Sequence, residues 1–187
     1  MAPDLERQAA QFQRLFAANE RELLAYAIRR VERAEDAADV VAETFLVAWR
    51  RIDKVPRGDK ARLWLFGVAR RQLANHRRGQ LRRTRLADRL REELPQALAS
   101  ARSPQDHRIA AVHAALARLA EEDREILRLT TWEELTPSEI ACVMGVPAVT
   151  VRSRLHRARK RLRTELLADD PAALNTSSPT LATKAAR

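Results

Sequence analysis

Cysteine is nearly missing from this chain: Cys142 is the only one among 187 residues. A lone thiol closes no internal disulfide, and without cysteine pairs the spacing that holds structural zinc is absent. Glycine is almost as scarce, with four, and aromatic residues make up 4%. No phosphate-cradling glycine loop occurs, and alternating β-branched runs of the kind that form strands are hard to find. No apolar run reaches the roughly 20 residues needed to cross a bilayer. The opening MAPDLERQAAQFQ lacks the apolar segment of a secretory signal. His76, His107, His113 and His156 are scattered, with no metal-ligand cluster and no Ser/His/Asp arrangement in an interpretable context. These absences argue against a disulfide scaffold, a membrane-inserted protein, a metalloenzyme and an NTPase. The expectation is a cytoplasmic protein with no metal, no cofactor and no catalytic residues.

What the chain does have is positive charge. Lys and Arg number 35 against 25 Asp and Glu, a net charge of +10. That imbalance favours a polyanionic partner, nucleic acid first and an acidic membrane surface second. A 45% hydrophobic content supports a core, and the length suits one ordinary domain or two small ones. Long stretches of Ala, Leu, Arg and Glu are good helix formers, so the expected class is all-α.

Apolar periodicity places a first helix over about Leu5 to Arg33, with Phe12, Leu15, Phe16, Leu23, Tyr26 and Val31 on its apolar face. A second spans Glu35 to Arg51, where Ala37, Val41, Phe45, Ala48 and Ile52 form one stripe and Asp36, Asp39 and Glu43 lie on another side. Pro56 and Gly58 break the chain in a turn over Asp53 to Lys60. The third helix, from about Ala61 to Arg77, begins apolar and ends basic. Between Arg57 and Arg91 there are twelve Lys and Arg and only two acids, Asp59 and Asp88. From Gly79 to Arg102 the pattern loosens into a linker. Ser103, Pro104 and Asp106 supply a cap, a first-turn proline and a first-turn acid for the next helix. That helix runs through Val112 and Leu119, and another runs from Glu121 or Glu122 to Trp132. Thr136 and Glu139 then form a capping box around Pro137, and Gly145 ends the short helix it opens. The turn leads through Pro147 into a further helix, which makes a helix-turn-helix. Ala168 to Arg187, rich in Ala, Thr, Ser and Pro, reads as a disordered tail.

VPAVTVRSRLHRARKRLR, Val146 to Arg163, holds six arginines, one lysine and no acid. Val151, Leu155, Ala158 and Leu162 make a narrow inner stripe, leaving Arg152, Ser153, His156, Arg157, Arg159 and Lys160 on the other faces. A helix of that width fits the DNA major groove, where arginine pairs with guanine O6 and N7 and other cations neutralise phosphates. A merely solvated charged helix is the competing reading. The capped helix-turn-helix before it favours DNA.

Two stretches carry a family resemblance. EDAADVVAETFLVAW followed by ARLWLFGVARRQLANHRR resembles region 2 of bacterial RNA polymerase sigma factors. LARLAEEDREILRLTTWEELTPSEIACVMGVPAVTVRSRLHRARKRLR resembles their region 4. The order and spacing are similar to the extracytoplasmic-function (ECF) branch, which keeps only these two domains, and the likeness covers about Phe12 to Leu166. It implies two small helical domains: region 2 over 5–78 and region 4 over 103–167, with a linker at 79–102 and a tail at 168–187. By the same resemblance, Asp36, Asp39, Val40, Glu43, Phe45 and Trp49 match the segment that docks on the β′ clamp helices of core RNA polymerase. Ordinary core packing is the other reading for Phe45 and Trp49. The turn Asp53 to Lys60 and the following helix match the reader of the −10 promoter element, with Lys60, Arg62, Arg70, Arg71, Asn75, Arg77 and Arg78 as its polar groups. Trp64 could stack on a base, but its apolar flanks favour a core position. Arg71 stands where the family commonly has asparagine, and Val149 where a glycine often precedes the Thr-Val pair. Thr150, Arg152, Ser153, His156, Arg157, Arg159 and Lys160 match the −35 reader. The helices at Glu121 to Trp132 match the part that approaches the β flap. The expected function is promoter-specific initiation with core polymerase and promoter DNA as partners and an anti-sigma factor as inhibitor. The alternative is a stand-alone helix-turn-helix regulator.

Overall fold

Helix-forming residues occupy nearly every stretch of the structure, a computed structural model that describes residues 2–91 and 112–169. Its elements are α1 (Ala2–Ile28), α2 (Ala34–Arg50), a single 3-10 turn (Ile52–Lys54), α3 (Asp59–Arg91), α4 (112–118), α5 (Glu121–Thr131), α6 (Pro137–Met144) and α7 (Ala148–Asp169). There is no strand among the described residues, as the all-α expectation requires. α1 stops short of Arg33, because Arg29 and Arg30 form a turn that directs the Arg30 side chain inward. α3 runs past Arg77 to Arg91. Its sequence there is mostly Leu, Arg and Gln, and no proline interrupts it. Residues 79–91, expected as linker, are thus the end of α3, while 92–102, the expected helix start at Ser103 to Asp106 and the tail beyond 169 lie outside the described residues.

α1, α2 and α3 pack on one another as an N-terminal unit. Leu23, Val40, Phe45, Ala48, Leu65, Phe66 and Leu73 are buried within it, and Ile52 and Val55 close it below the turn. Trp64 is partly buried against this core, in keeping with its apolar flanks. α2 lies against both neighbouring helices, so it buries more than one narrow stripe: Val40 and Thr44 are buried, whereas Val41 is half-buried. The Thr44 hydroxyl is satisfied by the Val40 carbonyl at 2.7 Å.

α5, α6 and α7 form the C-terminal unit around Ile126, Leu129, Ile140 and Val151. Its local geometry follows from caps. Glu139 N–H donates to Thr136 Oγ1 at 3.3 Å, and Thr136 N–H donates to Glu139 Oε2 at 2.8 Å, so the capping box is complete. Gly145 takes φ 68° and ψ 36°, a left-handed conformation that a side chain disfavours, and turns the chain into α7. Glu121, Glu122 and Asp123 sit in the first turn of α5, where the helix dipole favours carboxylates.

The two units meet along α3 and α6 and at the end of α1. At Gly67 the helices approach so closely that a Cβ would stand 3.3 Å from the Val143 carbonyl oxygen. Beside this contact, Arg30 is enclosed by Glu125 and Glu133 of the C-terminal unit.

Candidate nucleic-acid interface

α7 presents two different faces. Val151, Leu155 and Ala158 are buried against the C-terminal core, and Leu162 is half-buried beside them. Arg152, Ser153, His156, Arg157, Arg159 and Lys160 are all exposed, and Thr150 is half-exposed at the helix start. The Ser153 hydroxyl donates to the Thr150 carbonyl at 3.1 Å. The helix carries no acid between Val146 and Arg163, yet two of its cations are paired: Arg154 with Glu122, and Arg161 with Asp123 at 2.6 Å. Both acids come from the first turn of α5, so these arginines fasten α7 to its own unit. The sequence alone gave no sign of that division, because the acids are more than thirty positions away.

The α3 candidates are arranged differently. Lys60, Arg71, Asn75 and Arg78 are exposed, while Arg62, Arg70 and Arg77 are half-buried. Arg62 pairs with Glu22 of α1 at 3.0 Å, and Arg78 with Asn75. Arg71 Nε donates to the Gly67 carbonyl at 2.9 Å. Arg77 pairs with Glu121 of the C-terminal unit. Burial raises the Glu121 pKa, but the hydrogen bond and charge of Arg77, with the charges of Arg124 and Arg128, outweigh it and hold the carboxyl below its usual value. Next to the turn at Pro56 and Gly58, a groove of about 1020 Å³ opens between α1 and α3, lined by Arg7, Arg14, Asn19, Arg57 and Arg62. Glu22 and Asp59 line it as well, so its four arginines are partly offset, but it has room for an unstacked nucleotide. Glu139 of α6 stands on its rim. The two hydrogen bonds from Thr136 hold the Glu139 carboxyl below its usual pKa.

Of the α2 candidates, Asp39, Glu43 and Trp49 are exposed. Val40 and Phe45 are buried in the core and present no side-chain surface to a partner in this structure. Asp36 is largely enclosed, with His76 of α3 at 3.3 Å. Trp49 meets Phe12 edge-on at 5.3 Å, and Phe12 in turn meets Phe45 at 6.0 Å. Leu46 is 52% exposed beside Glu43 and Trp49, an outward leucine that sequence reasoning passed over. Its signal was there to find: it lies three and seven positions beyond Glu43 and Asp39, on the same helix face. No group of acidic, histidine or cysteine side chains among the described residues could hold a metal ion.

Comparison with known proteins identifies the family. The family model for Sigma-70 region 2 matches residues 15–83, and that for Sigma-70, region 4, matches 109–162. The chain is 34% identical over 151 residues to the RNA polymerase sigma-H factor of Pseudomonas aeruginosa, covering 75% of this chain and 78% of that one. It is 32% identical over 167 residues to the ECF RNA polymerase sigma factor SigL of Mycobacterium tuberculosis, covering 85% and 90%. Among solved structures it is similar to the sigma factor RpoE in complex with the anti-sigma factor NepR from Bartonella quintana. That match has a TM-score of 0.61 at 26% identity and covers 85% of this chain and 98% of that one. CnrH in complex with the cytosolic domain of CnrY gives a TM-score of 0.59 at 26% identity, covering 84% and 88%. With both regions present in the family's order and relatives matched over most of their length, the chain belongs to the ECF RNA polymerase sigma factors.

Proposed function

We propose that this sigma factor directs promoter-specific initiation through three separate surfaces. The outward face of α7, with Thr150, Arg152, Ser153, His156, Arg157, Arg159 and Lys160, reads the −35 element in the major groove. The turn 53–60 and the polar groups of α3, Lys60, Arg62, Arg70, Arg71, Asn75, Arg77 and Arg78, engage the −10 strand, with the adjoining groove receiving an unstacked base. The exposed part of α2, with Asp39, Glu43, Leu46 and Trp49, docks on core polymerase at the β′ clamp helices, and the α5 region approaches the β flap. The units correspond to 5–78 and 103–167. The single observation that carries this reading is the segregation on α7: six candidate readers stand in solvent while the apolar stripe opposite them is buried.

Sigma factors are a non-enzymatic family, and the chain's role is accordingly one of positioning: charge and hydrogen bonds hold DNA where polymerase opens it. No helix among the described residues is long and apolar enough to cross a membrane. A partner such as core polymerase puts the site of action in the cytoplasm. An anti-sigma protein is the expected inhibitor, since the solved relatives RpoE and CnrH are each held in such complexes or in one with a cytosolic partner domain. The test is in vitro transcription with core enzyme across a promoter library. The expected result is initiation from a subset of templates sharing −35 and −10 elements. DNA binding without stoichiometric recovery of core polymerase in a pull-down would instead identify a stand-alone regulator.

A further inference from the structure

Val149 is the most exposed of the large apolar side chains among the described residues, at 64%. Its place in the fold makes that exposure informative. α7 is entered through Pro147, whose carbonyl accepts from Thr150 N–H at 3.0 Å and from Val151 N–H at 3.2 Å, so Val149 stands in the first helical turn. Its neighbours Ala148 and Thr150 are half-buried, and Val146 packs against the core. Val149 is therefore the apolar side chain of that turn that projects outward.

Helical geometry fixes which face it joins. With about 3.6 residues per turn, Val149 lies across the helix from the buried stripe of Val151, Leu155 and Ala158. Arg152, Ser153 and His156 follow it at three, four and seven positions and are exposed on the same side. The valine heads the face of the −35 candidates and does not sit at its margin.

Fold stability gives no reason for valine at this position. The side chain lies outside the hydrophobic core, and a β-branched residue is a poorer helix former than alanine. Its chemistry fits an external contact better. Arg152, Ser153 and His156 offer hydrogen bonds, whereas valine offers none. The apolar group that a base edge displays in the major groove is the C5-methyl of thymine. Other base edges there present donors and acceptors, which an apolar side chain would desolvate without pairing, at a cost in free energy. Recognition helices of a helix-turn-helix bring their N-terminal residues to those edges.

We propose that Val149 is a specificity residue of the −35 reader: its isopropyl group packs on the C5-methyl of a thymine and selects one A·T pair. Arginine favours guanine, so the valine reads a position that the surrounding cations do not. The proposal rests on the reading of α7 as the −35 helix.

The test uses the full chain bound to core polymerase. Selection from a pool of randomised duplexes defines the −35 element, and each thymine in it, on either strand, is then replaced in turn by deoxyuridine. That exchange deletes the methyl group and leaves the hydrogen-bonding edge of the base unchanged. Wild-type binding is expected to weaken about fourfold at one thymine, the contribution of roughly one buried methyl group. Val149→Ser removes both methyls of an exposed side chain and leaves the core untouched. It should bind the thymine duplex about fourfold more weakly than wild type and no longer distinguish uracil from thymine at that position. Repeating the selection with Val149→Ser should relax the same position. Discrimination at thymines of the −10 element should be equal in the two proteins. The assignment is overturned if the −35 element holds no thymine, if none of its thymines responds, or if Val149→Ser discriminates as wild type does. Failure of the underlying reading looks different: a selection that yields no shared −35 element removes α7 as its reader, and the role of Val149 with it.

Discussion

α7 and α3 are both arginine-rich helices, but they hold their charge in opposite ways. On α7 two arginines, Arg154 and Arg161, pair with Glu122 and Asp123 of their own unit, and the other cations project into solvent. On α3 the cations are shared out among partners: Glu22 takes Arg62, the helix backbone takes Arg71, and the other unit takes Arg77. Charge counts alone make both helices basic. Their neighbours leave most of the α7 cations unpaired in solvent and tie several of those on α3 to partners.

The most damaging way to break this contrast is to remove the support beneath α7. Ile126 is fully buried in the C-terminal core, and Ile126→Ala should destabilise that unit by about 2–5 kcal/mol. Thermal unfolding followed by duplex binding checks it: binding should be lost at a lower temperature than the melting of α1–α3. A narrower comparison pits two arginines of α7 against each other. Arg157→Ala should cost about 1–3 kcal/mol in duplex affinity and relax base preference at one position if it makes a paired base contact. Arg154→Ala, already tied to Glu122, should leave base preference intact. A selection from randomised duplexes with each variant measures both. Smaller again is the cap: Thr136→Ala opens the box at the start of α6 and should lower stability by about 1 kcal/mol, read from a denaturant midpoint.

The mildest perturbation is acid. Glu121 has a folded-state pKa below its unfolded value, so the Arg77 contact contributes in full above the ordinary carboxylate range and fades as pH falls through the lower folded value. The pair is half exposed, and solvent screening keeps its contribution small. Separation of the two units, followed by interdomain distance, should therefore increase only slightly and only at acid pH. A maximum of separation near neutrality would contradict the assignment.

Features set by near neighbours in sequence were legible without coordinates. The Thr136–Glu139 box, the left-handed Gly145 and the alternation of faces on α7 depend on residues within a turn or two, and each is where periodicity and capping rules place it. The two matched sigma regions were legible from their motifs as well. Features set by distant neighbours were not. Val40 reads as part of an outward docking set, but α2 is flanked by both α1 and α3, which bury a wider arc than one stripe. Arg30 sits where a helix pattern continues toward Val31, and only two glutamates about a hundred positions later explain why the chain turns there. The extension of α3 to Arg91 crosses Gly79, a weak breaker that neighbouring helix formers override.

Tyr26 is the chain's only tyrosine, and it lies buried where the two units meet. Burial first, and then the adjacent Glu125 charge, push its hydroxyl well above the usual phenol range. Phenolate absorbance in alkaline solution therefore comes from one ring, and that ring, buried between Phe66 and Arg30, ionises reluctantly. The molecule thus carries a single optical gauge of how tightly its interior encloses that hydroxyl.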